Sequence, residues 1–267
     1  MEVNFTDKVV LVTGASAGIG EATAILFAKY GAKLVLVGTN EKNLRNVANR
    51  CEQEKGNKPL AVIANLSKDE GCEKTAREAL DHFGRVDVLV NNAAVGARTT
   101  IQTTDMATFD NVFNLDVRGV YNLTRLLVPA LIESKGNIVN ISSIAATVVV
   151  VGSLPYGMAK AALDHFTRLT ALELAPKGVR VNTISPGLTV SKFMQRITDM
   201  SDLEYDKWLK IGEKMIPMGK VCTGDDIARM ILYVASDNSA LLTGAIIPVD
   251  GALQFTMSGS LISNEPK

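Results

Sequence analysis

Tyr156 and Lys160 stand four residues apart in Tyr156-Gly157-Met158-Ala159-Lys160. On a helix that spacing sets both side chains on one face, a few ångströms apart. A free tyrosine has a pKa of about 10 and is a poor acid or base at neutral pH. A lysine cation beside it stabilises the phenolate. Such a tyrosine can protonate a carbonyl oxygen as hydride arrives, or deprotonate an alcohol in reverse. Ser143 follows the run Ile138–Ser142, and its hydroxyl can hydrogen-bond the same oxygen. Taken alone, a Tyr-x-x-x-Lys pair also suits an exposed helical face with no chemistry.

A second motif gives the pair a context. After the apolar run Val9–Val12 comes Thr13-Gly14-Ala15-Ser16-Ala17-Gly18-Ile19-Gly20, and then a helical pattern. Glycines at a strand-to-helix turn let a pyrophosphate approach the helix N-terminus, where free N–H groups and the positive dipole end lie. Gly14, Ser16, Gly18, Ile19 and Gly20 are therefore candidate cofactor-binding residues. The same stretch has two other readings. It could be a plain tight turn. It also reads Gly-x-Ser-x-Gly over 14–18, the nucleophile elbow of a serine hydrolase. That chemistry needs a histidine, and the only two, His82 and His165, fall inside helical patterns.

The second apolar run ends Val37-Gly38-Thr39-Asn40. An acid there would hydrogen-bond a free ribose 2′-hydroxyl and mark NAD; its absence suits a 2′-phosphate. Thr39 and Asn40 can donate to that phosphate, and Lys42 and Arg45 are near in sequence, so NADP(H) is expected in preference to NAD(H). Thr39 and Asn40 could equally cap a helix beginning near Glu41.

These residues need a frame. Apolar runs recur at Val9–Val12, Leu34–Val37, Leu60–Ala64, Val88–Val90, Ile138–Ile141, Val179–Ile184 and Ala245–Val249. Most are β-branched and apolar on both faces, as strands covered from both sides must be. Helical patterns alternate with them at Ile19–Tyr30, Glu41–Glu54, Lys68–Phe83, Met106–Glu133, Tyr156–Leu174 and Asp225–Ser236. Gly31, Gly84 and Gly178 stand where helices should stop. The alternation predicts an α/β fold: a doubly wound, Rossmann-type parallel sheet of about seven strands with helices on both faces. No linker or repeat divides residues 1–267, so one catalytic domain is expected. The stretch 192–218 breaks the alternation and is polar, Met-rich and helix-prone, either a surface excursion or a substrate lid. Trp208, Met194, Met200, Met215 and Met218 could line an apolar pocket or simply pack. The run Ala145–Val151, between Ser143 and Tyr156, points to a lipophilic carbonyl compound rather than a sugar.

Composition narrows the class. The chain has 267 residues, with Lys+Arg and Asp+Glu both 28 and a formal net charge of zero. A balanced chain has no bulk basic field for nucleic acid or anionic lipid. Hydrophobic residues make up 47%, which suits a globular protein. Cys51, Cys72 and Cys222 are too far apart for a disulfide framework or a metal pair, and no metal site is expected. The start MEVNFTDK lacks a signal-peptide pattern, Ile144–Val151 is too short to span a bilayer, and the ending SNEPK matches no targeting signal, so a cytoplasmic protein is expected.

Across nearly its whole length the chain resembles the classical branch of the short-chain dehydrogenases/reductases. The marks are Thr13-Gly14-x-x-x-Gly18-x-Gly20, Asn91-Asn92-Ala93-Ala94, Ser143 ahead of Tyr156-x-x-x-Lys160, Asn182-x-x-x-Pro186-Gly187, and Pro248-Val249-Asp250-Gly251. The resemblance implies a nicotinamide cofactor, oxidoreduction of an alcohol/carbonyl pair and a homotetramer, with Met106–Glu133 and Tyr156–Leu174 as interfaces. It also implies roles. Ser143 orients substrate, Tyr156 is the acid/base, and Lys160 holds the nicotinamide ribose and lowers the tyrosine pKa. Asn92 and Ala93 line the cofactor, Pro186, Gly187 and Thr189 flank its carboxamide, and Asn65 with Leu66 lies at the adenine end.

Two positions depart from the family. Asn65 stands where an Asp is usual; an amide still donates and accepts. Asp116, in Asp116-Val117-Arg118-Gly119, stands where the family's fourth catalytic residue is an Asn whose main chain supports a water relay to the lysine. Asn114, about 200° away on an α-helix, cannot easily replace it. An ionised Asp116 near Lys160 would hold the lysine charged but offset its pull on Tyr156. Otherwise Asp116 is a surface helix residue. The expected function is NADP(H)-dependent interconversion of a lipophilic carbonyl and a secondary alcohol. The alternatives are a nucleotide-binding protein without turnover that acts through partners and, more remotely, the hydrolase.

Overall fold

The computed structural model describes residues 3–55 and 57–256; Met1, Glu2 and the ending SNEPK lie outside the described residues. Seven strands form one parallel sheet in the order β3-β2-β1-β4-β5-β6-β7. They are β1 (Val9–Thr13), β2 (Lys33–Gly38), β3 (Leu60–Ile63), β4 (Val88–Asn91), β5 (Asn137–Ile141), β6 (Arg180–Pro186) and β7 (Ile246–Val249). Each corresponds to one of the apolar runs. The β1 register pairs Val10 with both Leu34 and Val88, so β1 and β4 lie side by side although far apart in sequence. The winding reverses between them, and in open parallel sheets ligands bind beyond the strand C-termini at such a point.

Both faces of the sheet are covered, which is why the strands carry apolar residues on both sides. Val10 and Val12 of β1 face one core with Phe27 of α1 (Gly18–Lys29), Leu44 of α2 (Glu41–Lys55) and Ile231 of α9 (Gly224–Ala235). Val9 and Leu11 face the other, with Ala76 of α3 (Asp69–Phe83), Leu127 of α5 (Val120–Ser134) and Leu174 of α6 (Leu154–Leu174). Gly31, Gly84 and Gly178 follow helix ends with φ of +88°, +69° and +82°.

One element differs from expectation. Met106–Glu133, read as a single helix, is α4 (Met106–Phe113), a π-helical turn over Asn114–Gly119, and α5. The wider winding of a π turn alters which side chains face inward, and this turn carries Asp116. The stretch 192–218 holds two helices, α7 (Lys192–Thr198) and α8 (Asp202–Met215), and α10 (Leu253–Thr256) follows β7. Among the described residues no helix is long and apolar enough to cross a membrane.

Candidate active site

A cavity of about 610 Å³ opens along the C-terminal ends of the strands and is bordered by the glycine turn, the β2 and β4 ends, the Ser143 loop, α6 and α7. At the turn Gly14 has a φ of +64°, and a Cβ there would lie 2.8 Å from Asn92 Nδ2 and 2.9 Å from Ala93 Cα. Only glycine fits this approach. Asn92 Nδ2 donates to the Thr13 carbonyl at 2.9 Å, and Thr13 Oγ1 accepts from the Asn92 and Ala93 N–H groups at 2.9 Å. The ends of β1 and β4 are thereby laced together. Ser16, Gly18 and Ile19 line the cavity. Gly20 does not; a Cβ on it would stand 2.3 Å from the Gly14 carbonyl, so it seats α1 against the turn. Ala17, the N-cap of α1, supplies no side-chain hydrogen bond. The first N–H groups of α1 are thus left for another acceptor, and a phosphate suits that cradle.

At the other end Gly38, Thr39, Ala64, Asn65 and Leu66 border the cavity. Asn40 stands outside this wall: its Oδ1 accepts from Asn43 N at 2.9 Å and opens α2. Arg45 is held by Glu41 at 2.7 Å. Asn65 Oδ1 accepts from Ser67 N at 3.1 Å and shapes its own turn. Among the described residues no carboxylate side chain borders any part of the cavity.

Tyr156, Lys160 and Asp164 fall at successive i+4 positions of α6 and form a polar stripe beside the end of β5. Tyr156 and Lys160 border the cavity with Ser143, while Pro186, Gly187 and Thr189 border it from the end of β6. Lys160 Nζ lies 5.4 Å from the Tyr156 ring centroid and donates to the Ile141 carbonyl at 3.1 Å. The Ser143 hydroxyl accepts from Ala145 N at 3.1 Å and lies near enough to Tyr156 to favour its phenolate. Asp116 is not a surface residue. Its side chain is 0% exposed and that of Lys160 2%, with Oδ2 3.1 Å from Lys160 Nζ. Its Oδ1 accepts from Val95 N at 2.9 Å. Asn114 instead lies on another surface, beside Phe113, Tyr121 and Phe166.

Burial raises the Tyr156 phenol above its ordinary value; Lys160 pulls it down, Asp116 pushes it up, and Ser143 favours the phenolate. For Lys160 burial opposes the charge, but Asp116, Tyr156 and Asp164 outweigh it, and the ammonium is held above the usual lysine range. Burial likewise raises Asp116, against the pull of Lys160 and the Val95 N–H. Among these residues desolvation exceeds the help from Lys160, so the phenol is raised and not lowered.

Beyond Tyr156 the cavity is lined mainly by apolar side chains. Phe193 of α7 lies 5.4 Å from the Tyr156 ring, centroid to centroid. Met194, Trp208 and Met215 join it on the wall. Met218 is exposed and, with Met200, stands outside the wall. The sequence reading missed Phe193, the Val95 amide, the Ile141 carbonyl and the arginines at 98 and 196. The two main-chain groups carry no residue-type signal. Ser191 signals the start of α7, but not that Phe193, two residues on, turns towards Tyr156. The hydrolase reading has no base: His82 and His165 are both exposed on helices and neither borders the cavity that holds Ser16.

Comparison with known proteins agrees with this geometry. A family profile described as enoyl-(acyl carrier protein) reductase matches residues 14–253. The chain is 33% identical over 247 residues to a 3-oxoacyl-[acyl-carrier-protein] reductase of Thermotoga maritima, covering 92% of this chain and 97% of that one. L-sorbose reductase of Gluconobacter frateurii, solved with NADPH and L-sorbose, superposes with a TM-score of 0.89 at 28% identity, over 95% of this chain and 99% of that one. A 3-ketoacyl-(acyl-carrier-protein) reductase of Brucella melitensis, solved with NADH, gives 0.84 at 31% identity, over 93% and 99%. A strand-to-helix glycine turn, a Ser-Tyr-Lys cluster at the strand C-termini and a match spanning most of the chain lead to one conclusion: this protein belongs to the short-chain dehydrogenase/reductase family and is an oxidoreductase of alcohol/carbonyl pairs.

Proposed function

We propose that the chain is an NADP(H)-dependent reductase/dehydrogenase that interconverts a lipophilic ketone and its secondary alcohol. The observation that carries this reading is the convergence of Ser143, Tyr156 and Lys160 in one cavity that begins at the uncapped N-terminus of α1. Gly14, Ser16, Gly18, Ile19, Asn92 and Ala93 would hold the dinucleotide along the β1 and β4 ends, and Asn65 with Leu66 its adenine end. Pro186, Gly187, Thr189 and Lys160 would hold the nicotinamide end. The solved relatives hold NADPH in one case and NADH in the other. The NADP preference therefore rests on the end of β2, where Thr39 borders a wall free of carboxylates. Gly20 and Asn40 act in this reading by shaping the turn and opening α2.

Bound nicotinamide supplies or accepts the hydride. Tyr156 gives its phenolic proton to the carbonyl oxygen in reduction and takes it from the hydroxyl in oxidation. Ser143 donates a hydrogen bond to that oxygen and orients it. Lys160 keeps its charge beside the phenol and favours the phenolate. Asp116 acts through Lys160 and touches no substrate. Phe193, Met194 and Trp208 exclude water, and 192–218 serves as the lid.

The chain is further inferred to act in the cytoplasm as a homotetramer. In support of assembly, α5 and α6 expose Tyr121, Leu169 and Leu172 on their outer faces. The reading is tested with a panel of ketones and both reduced cofactors. NADPH should support the higher kcat/KM, and Thr39→Asp should reverse the preference, since a carboxylate repels a 2′-phosphate. Turnover of no ketone with either cofactor would instead favour a nucleotide-binding protein that acts through partners.

A further inference from the structure

Among the described residues four cationic side chains border the cavity, Arg98, Lys160, Lys192 and Arg196, with no carboxylate beside them on the wall. Two have evident employment. Lys160 is neutralised by Asp116 behind it. Lys192 follows Ser191, whose Cβ lies 3.5 Å from where a Cβ on Gly18 would stand, so its backbone sits beside the glycine turn. Arg98 and Arg196 remain. Among the described residues Arg98 makes no hydrogen bond or ion pair, and Arg196 only donates from Nε to the Lys192 carbonyl at 3.3 Å.

Both sit over the reacting end. Arg98 packs against Gly152, its Cγ 3.4 Å from where a Cβ would stand, and the next residue, Thr99, bridges to Ser153, three residues before Tyr156. Arg196 lies one helical turn beyond Phe193, the ring set against Tyr156. Phe193 in turn lies over Gly96, so the loop bearing Arg98 and the helix bearing Arg196 meet across the cavity mouth. An apolar chamber rimmed by two uncompensated guanidinium groups suits a ligand that is greasy at the carbonyl and negative at the far end. Guanidinium groups match carboxylate and phosphate oxygens in geometry as well as charge.

We infer that the substrate is a ketone, or its secondary alcohol, with an apolar body and an anionic carboxylate or phosphate group held at the mouth by Arg98 and Arg196. This rests on the oxidoreductase reading above. The test uses three matched aryl ketones on one skeleton, bearing a carboxylate, a phosphate monoester or a neutral methyl ester. With NADPH the wild-type enzyme should turn over an anionic ketone at a kcat/KM about tenfold or more above the ester; whichever anion leads identifies the source. Arg98→Gln and Arg196→Gln should each lower the anion-to-ester ratio about threefold to tenfold through KM, and added salt should lower it too. Binding of the same compounds to nucleotide-loaded Tyr156→Phe enzyme, read by calorimetry, reports the charge preference without turnover. A preference seen there, but with no ketone turned over by the wild type, would sink the activity reading and leave the anion site standing. A ratio near one in both assays overturns the inference. So does an unchanged ratio in the arginine variants, or a loss traced to weaker NADPH binding.

Discussion

At the scale of single residues the unusual group is Asp116, because a carboxylate 3.1 Å from Lys160 alters the charge that Tyr156 feels. The charged or titratable groups facing Lys160 are Asp116, Tyr156 and Asp164. Asp116 raises both the lysine and the phenol, so Asp116→Asn should lower both. Alcohol oxidation needs phenolate and rises through the tyrosine pKa; ketone reduction needs phenol and falls through it. Both limbs of the pH–rate profile should therefore move to lower pH in Asp116→Asn, with folding checked by the melting temperature. A profile that stays in place would remove Asp116 from the proton chemistry. Tyr156, Lys160 and Ser143 are legible in the sequence because i, i+4 spacing and a strand-end serine carry geometric information on their own. The Asp116–Lys160 contact is offered only by the family resemblance, as one of two readings. It depends on a π turn, and an α-helical reading of 106–133 gives no way to foresee which side of the helix turns inward. Nor could residue types show that burial outweighs Lys160 at the free phenol.

The elements hold the site through a polar chain beneath it. Asn91 Nδ2 of β4 donates to Asn140 Oδ1 of β5 at 2.9 Å, Asn140 Nδ2 donates to Thr167 Oγ1 of α6 at 2.8 Å, and Thr167 lies 2.7 Å from Thr183 Oγ1 of β6. All four residues are buried. Buried polar groups are costly when orphaned. Asn140→Ala leaves Asn91 and Thr167 short of partners and should destabilise the fold by about 1–3 kcal/mol, measured by denaturant unfolding. It should also lower kcat, since β5 leads into Ser143 and α6 carries Tyr156. Equal stability to the wild type would show that this chain does not brace the site. The strands were the most readable elements: continuous β-branched runs such as Val9–Val12 admit few other placements in an α/β chain. The break inside 106–133 was the least readable, because a single widened turn shifts the apolar spacing too little to stand out over so short a span.

For the whole molecule, the doubly wound parallel sheet follows from the βα alternation, whereas the reversal between β1 and β4, and with it the position of the cavity, comes from the strand order of the structure. Assembly does not follow from the alternation either, since no apolar pattern separates a face buried by a partner from one left in water. Leu169 and Leu172 of α6 are 57% and 79% exposed. If α5 and α6 form the subunit contact, light scattering should give a tetramer for the wild type and smaller species for Leu169→Arg/Leu172→Arg, because buried arginines without partners oppose association. A monomeric wild type would contradict that arrangement. The central claim is that a phenol beside an ammonium moves the proton while the dinucleotide stays bound in the glycine-turn cavity. The most direct measurement pairs NADPH binding, by fluorescence titration, with ketone turnover in wild type and Tyr156→Phe. The account predicts nearly equal NADPH affinity and a loss of roughly 10³-fold in kcat. Turnover within a few fold of the wild type in Tyr156→Phe would contradict it.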